Sequence, residues 1–218
     1  MVDRQSQKRR SLLLARAIFL LCLLTPTAPW LGGADAAKGE IDQAEMIKNP
    51  ETFAVYSVLR ANDIKLLGGA AWKLAQSILE QSNKHSVDPT LVLAIIKVES
   101  QFDHRAVSIQ GARGLMQIVP FVARAVAKED GIDLSKNATM LYDPIVNVKI
   151  GVAYLSKLTR MFNDLKLVLI AYNVGPTKVR EKLATKGRVE SAYATKVFMA
   201  QRNLTKYLKT ESALATAG

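Results

Sequence analysis

Apolar residues recur along this chain at intervals of three or four, and nowhere do they alternate with polar ones over more than four positions, so the pattern predicts a mainly α protein. Phe53, Tyr56 and Leu59 share one helical face, and Trp72, Leu74, Ile78 and Leu79 another. Asn49-Pro50 and Gly68-Gly69 punctuate this region, which reads as two or three helices between Glu40 and Lys84. Asp88-Pro89 then supplies an N-cap and a first-turn proline to a helix reaching Ser100. Its stretch Leu91 to Val98, interrupted only by Lys97, is apolar on nearly every side and belongs in a core.

Further along, Asp103 to Gly114 reads as a loop with two glycines, Val119-Pro120 opens a helix through Val126, and Gly131 to Leu141 is a second loop. Asp143-Pro144 caps a long amphipathic helix, Ile145 to Phe162, with Val148, Gly151, Val152, Leu155 and Leu158 on its apolar face. Leu165 to Asn173 is a short apolar helix ended by Val174-Gly175-Pro176. The remainder, Lys178 to Leu208, keeps a helical pattern but is charged.

The first 37 residues follow a different logic. A basic start (Arg4, Lys8, Arg9, Arg10) leads into an apolar stretch, Leu12 to Leu24, broken by Arg16, and then into Pro26, Pro29 and the small residues Ala34-Asp35-Ala36-Ala37. This is the layout of a cleavable secretory signal peptide, with Ala34-x-Ala36 as the cleavage site. A stable transmembrane anchor needs about 20 apolar residues in a row, and Arg16 interrupts this stretch. Lys8-Arg9-Arg10-Ser11-Leu12-Leu13 also fits a twin-arginine signal, so the export route stays open. The expected division is a signal peptide over 1–37, a helical extension over 38–74, a main domain over 75–200 and a tail over 201–218, in a periplasmic or exported, monomeric protein.

Composition narrows the chemistry. With 49% hydrophobic and 22% charged residues in 218, the chain is neither disordered nor collagenous, and its one cysteine, Cys22, cannot form an internal disulfide. Two histidines and no partner cysteine offer no metal site, so no structural metal is expected. The formal charge is +11, and removing the five basic and two acidic residues of 1–37 leaves +8. Such a charge suits an anionic polymer or lipid headgroups, and equally it only solvates helix faces. No zinc finger, RNA-recognition signature or basic strand interleaved with aromatics favours nucleic acid.

Glu99 follows the most apolar helical run of the mature chain. A carboxyl at the end of a buried helix loses solvation, its pKa rises, and it can hold a proton to donate. Taken alone, most helix-end glutamates are exposed and ion-paired. Two further blocks alter that balance: Ser108-x-x-Gly111-Ala112-Arg113-Gly114-Leu115-Met116-Gln117 and Ala171-Tyr172-Asn173-x-Gly175. Gly111 and Gly114 allow tight turns, Gln117 offers a donor and an acceptor, and Met116 an adaptable apolar surface. By themselves these are also what a loop glycine pair, a core methionine, a core tyrosine and an ordinary loop serine look like.

Together with Glu99-Ser100, and in this order and spacing, the blocks resemble the SLT-type lytic transglycosylases of bacterial cell walls, members of the lysozyme-like superfamily. The resemblance covers residues 75 to 200. It implies a lysozyme-like fold and cleavage of the β-1,4 bond between MurNAc and GlcNAc of peptidoglycan, leaving 1,6-anhydro-MurNAc ends. Glu99 is then the single catalytic acid/base, while Ser100, Ser108, Gly114, Met116, Gln117, Tyr172, Asn173 and Tyr193 contact substrate or border its cleft. Tyr172 is expected to hydrogen-bond near the catalytic carboxyl. In the last helix Glu190, Tyr193 and Val197 look similar to a late family pattern, but Glu190 stands one residue closer to Tyr193 than usual, and only Tyr193 is carried over. Val174 also replaces the usual small alanine. A goose-type lysozyme-like hydrolase, and a non-catalytic wall-binding component of an envelope or secretion complex, are the competing readings.

Overall fold

The computed structural model describes residues 41–134 and 138–216. The signal-peptide and export expectations for residues 1–37 lie outside these. In chain order the helices are α1 (Gln43–Lys48), α2 (Pro50–Ala61), α3 (Gly68–His85), α4 (Pro89–Glu99), α5 (Pro120–Asp130), a 3-10 turn (Ala138–Tyr142), α6 (Pro144–Met161), α7 (Leu165–Val174), α8 (Pro176–Lys186) and α9 (Ala192–Thr216). Among the described residues β-structure is limited to two isolated bridges, Val107 with Arg113 and Arg113 with Ile118.

The helix starts follow local chemistry. Asp88, Asp143 and Asp164 each accept a backbone N–H of the first turn that follows, and proline occupies the first turn of α2, α4, α5, α6 and α8, where its missing N–H costs nothing. α5 runs to Asp130, one turn beyond the Val126 end that the sequence suggested, and the charged C-terminal stretch divides in two at Gly187, whose φ of +67° ends α8.

A single apolar core joins all of this. α4 lies at its centre, with Val92 through Ile96 wholly buried, and α9 packs along it. α3 packs on α6, and α2 packs on α3 and α9. Val55, Val58 and Leu59 of α2 belong to the same core as Leu155 of α6 and Leu169 of α7. Among the described residues before position 75, α2 and the first turns of α3 share that core, and the positions 74/75 and 200/201 both fall inside helices.

Candidate active site

Six successive core residues, Leu91–Ile96, carry Glu99 to the end of α4, where it emerges half-buried. Desolvation raises its pKa above the ordinary carboxylate value, and a hydrogen bond from Tyr193 opposes that rise. Tyr193 Oη donates to Glu99 Oε1 at 2.7 Å, from the first turn of α9. Burial first, then the Glu99 charge, push the Tyr193 hydroxyl itself far up, so it remains a proton donor to the carboxyl. The C-terminal end of a helix dipole adds its own bias against a carboxylate.

Beside this pair lies the loop 105–118, folded on itself by the two bridges at Arg113. Gly114 has φ +75°, and a Cβ there would overlap the Leu141 carbonyl oxygen and the Asn147 side chain, so this position requires glycine on both counts. Asn147, in the first turn of α6 and wholly buried, holds the loop down. Its Nδ2 donates to the carbonyls of Arg113 (2.8 Å) and Leu141 (2.9 Å), and its Oδ1 accepts the Met116 N–H at 2.7 Å. Both amide hydrogens and the oxygen of a side chain sealed from water are engaged, which makes the loop's position costly to change.

The candidate residues divide accordingly. Ser108, Gln117, Asn173 and Tyr193 are exposed or half-buried, as is Glu99. Ser108 Oγ accepts the Ala112 N–H at 3.1 Å, which leaves its own proton to donate. Gln117 spends its amide N–H groups on the carbonyls of Ala106 and Gly114, at 3.0 Å each, so its oxygen is what it can offer. Asn173 is exposed at the end of α7.

The others lie beneath. Ser100 is buried and its hydroxyl donates to the Ile96 carbonyl, closing α4. Gly114 is buried and shapes the loop. Met116 departs from the sequence expectation: it is fully buried and its side chain fills the space left by the missing Cβ of Gly151, so it presents no surface to a sugar. Tyr172 donates to the Met116 carbonyl at 2.8 Å; the Glu99 charge acts on it through space, after burial, in raising its pKa. The tyrosine bonded to the carboxyl is Tyr193.

The sequence reading missed two residues. Asn147 is one; Tyr154, whose ring lies 5.5 Å from that of Tyr172 and tilted by 44°, is the other. Both stand on the apolar face of α6 with Gly151 and Leu158, and a polar residue on such a face was the available signal. Two other carboxylates are committed elsewhere: Asp103 accepts the Arg105 N–H, and Asp143 caps α6. Glu190 is exposed and lines a depression of about 210 Å³ with Lys166, Ser191, Ala192 and Thr195. Among the described residues no group of three histidine, cysteine or acidic side chains is placed to hold a metal ion.

The family model of the Transglycosylase SLT domain matches residues 76–194, over half of the chain. The chain belongs to this family. All the residues discussed around Glu99 fall within the SLT domain. Over 134 residues the chain is 34% identical to membrane-bound lytic murein transglycosylase C of Shigella sonnei (strain Ss046), an alignment covering 57% of this chain and 37% of that relative. Among solved structures it is similar to an inactive variant of lytic transglycosylase Slt from Pseudomonas aeruginosa, with a TM-score of 0.55 and 24% identity, covering 76% of this chain and 30% of that one. It is also similar to the 70-kDa soluble lytic transglycosylase of Escherichia coli, with a TM-score of 0.50 and 24% identity, covering 79% of this chain and 29% of that one. The chain therefore spans well under half the length of these relatives. The SLT fold is shared; α1 and α2 precede the matched segment and α3 runs into it.

Proposed function

We propose that the SLT domain cleaves the β-1,4 bond between MurNAc and GlcNAc in peptidoglycan with Glu99 as its one acid/base. The observation that carries this reading is the state of that carboxyl: desolvated at the end of a buried helix, with a raised pKa and a tyrosine hydroxyl at 2.7 Å. Glycosidases of the two-carboxylate kind need a second acid about 5–10 Å away as nucleophile or base. Asp103 and Asp143 are tied to backbone N–H groups, and Glu190 lies at the surface depression beyond Tyr193.

A single carboxyl is enough if the substrate supplies the rest. Protonated Glu99 gives its proton to the glycosidic oxygen as the bond to C1 breaks, and the carbonyl oxygen of the substrate's own N-acetyl group supports the positive charge at C1. The Glu99 carboxylate, held by Tyr193, then takes the proton of the C6 hydroxyl, whose oxygen closes onto C1 to give the 1,6-anhydro ring. The proton returns to Glu99, no water is consumed and no cofactor enters. The similar proteins named above are lytic transglycosylases, which supports the reaction class. Action on the wall, and the layout of residues 1–37, go together with an exported protein.

The test is mass spectrometry of soluble products after peptidoglycan sacculi are incubated with the purified protein or its Glu99→Gln variant. Anhydro-muropeptides from the wild type alone are expected. Muropeptides with reducing ends would make the protein a hydrolase, and no product from either would leave the wall-binding role.

A further inference from the structure

The basic helix that leaves the catalytic groove is not used by the chemistry at Glu99. α8 begins at Pro176, three residues after Asn173, and carries Lys178, Lys182 and Lys186 at successive intervals of four, so the three amines form one stripe along the helix. All three are exposed, as is Arg188 just past the end. Arg180 is turned aside, its guanidinium lying 6.0 Å from the Phe162 ring centre.

Among the described residues no acidic side chain forms an ion pair with these amines. The ion pairs among the described residues join α3, α5 and α6, through Lys84, His85, Asp130, Lys157 and Glu129; none involves α8. The one acidic residue on the helix, Glu181, pairs with none of its lysines. Like charges at i and i+4 weaken a helix, and α8 is anchored by one fully buried side chain, Val179. Its main packing partner is α7, whose last turn carries Asn173.

We propose that the Lys178-Lys182-Lys186 stripe docks the carboxylates of the peptides hanging from the glycan strand whose sugars occupy the groove at Glu99. This rests on peptidoglycan being the substrate. Charge selects the occupant: a bare glycan of GlcNAc is neutral, whereas the peptides attached to MurNAc bring free carboxylates at intervals along the strand. Continuity sets the place, because the stripe starts five residues after Asn173 and extends away by about 12 Å from Lys178 to Lys186 at 1.5 Å per residue.

Binding and cleavage are read separately. In the Glu99→Gln background, which keeps sacculi intact, co-sedimentation with sacculi free of teichoic acid is compared before and after carbodiimide amidation of their carboxylates. The triple variant Lys178→Gln/Lys182→Gln/Lys186→Gln is expected to bind native sacculi about three- to tenfold more weakly, the range of three exposed charge contacts, and to be indifferent to amidation. The matching Lys→Arg triple should restore binding. In the Glu99 background, the Gln triple should lose the same factor on peptide-bearing strands at subsaturating concentration and nothing on peptide-stripped strands whose exposed lactyl carboxylates have been amidated. Equal loss on both kinds of strand, or no loss on either, overturns the proposal, as does a deficit seen only with phosphatidylglycerol vesicles, which would assign the stripe to a lipid surface. If the wild type cleaves neither substrate, the catalytic reading fails, while the amidation result still decides the stripe.

Discussion

α4 and α8 are both eleven residues long and both open on a proline, yet they meet opposite fates. α4 buries six consecutive side chains and ends on a carboxyl stripped of much of its water; α8 buries one and lines its outer face with ammonium groups. The difference shows two ways a protein uses charge. Held at a core edge, a single ionisable group acquires a shifted pKa and a fixed partner, which is what proton transfer requires. Left in solvent, several such groups act only together, each contributing little.

The strongest way to break the comparison is Glu99→Gln. Cleavage of sacculi should fall by about 10²–10⁴-fold, the usual worth of a positioned acid/base. Stability should move the other way. The folded-state pKa of Glu99 is raised, so its ionisation costs stability progressively as pH rises above the unfolded value of about 4.3. The variant should therefore melt higher than the wild type at about pH 7, with the gap closing toward about pH 4.

Next in size is the support beneath the site. Asn147→Ala strands the Met116 N–H and the Leu141 carbonyl away from water, while the Arg113 carbonyl keeps the Ile118 N–H, and chemical denaturation should show a loss of about 2–3 kcal/mol. Gly114→Ala, forced to keep φ +75° against the Leu141 carbonyl, should cost about 2 kcal/mol by the same measurement. A single Lys182→Gln on α8 should stay within about 0.5 kcal/mol of wild type. Stability equal across these three would mean that the loop is not pinned as described.

A smaller change sharpens the carboxyl side. Tyr193→Phe removes the hydrogen bond that favours the carboxylate, so the Glu99 pKa rises further. Activity that needs the protonated acid declines as pH passes that pKa, and in the variant the decline should set in at higher pH. Tyr172→Phe should leave this limb in place, because its hydroxyl serves the Met116 carbonyl. A pH profile of the two variants separates them.

Much of this was legible beforehand where the signal is local. Asp-Pro starts, glycine stops and the period of apolar residues set the helices, and the uninterrupted apolar run before Glu99 marked the residue that loses its water, because helix periodicity and desolvation both follow from near neighbours in the chain. Met116 and Tyr172 were read less well for the opposite reason. Whether a methionine faces a sugar or fills the gap above Gly151, and which of two tyrosines reaches a carboxyl, depends on contacts separated by 35 to 94 positions.

The sequence by itself determined the elements, the excess of positive charge and the one acidic residue at the end of a buried helix. Only the tertiary structure decided that Tyr193 is the partner of Glu99, that Asn147 fastens the loop, and that among the described residues the lysines of α8 pair with no acid. Those facts arise when helices distant in sequence are packed together, since a hydrogen bond or its absence is settled by a few tenths of an ångström that no local pattern encodes.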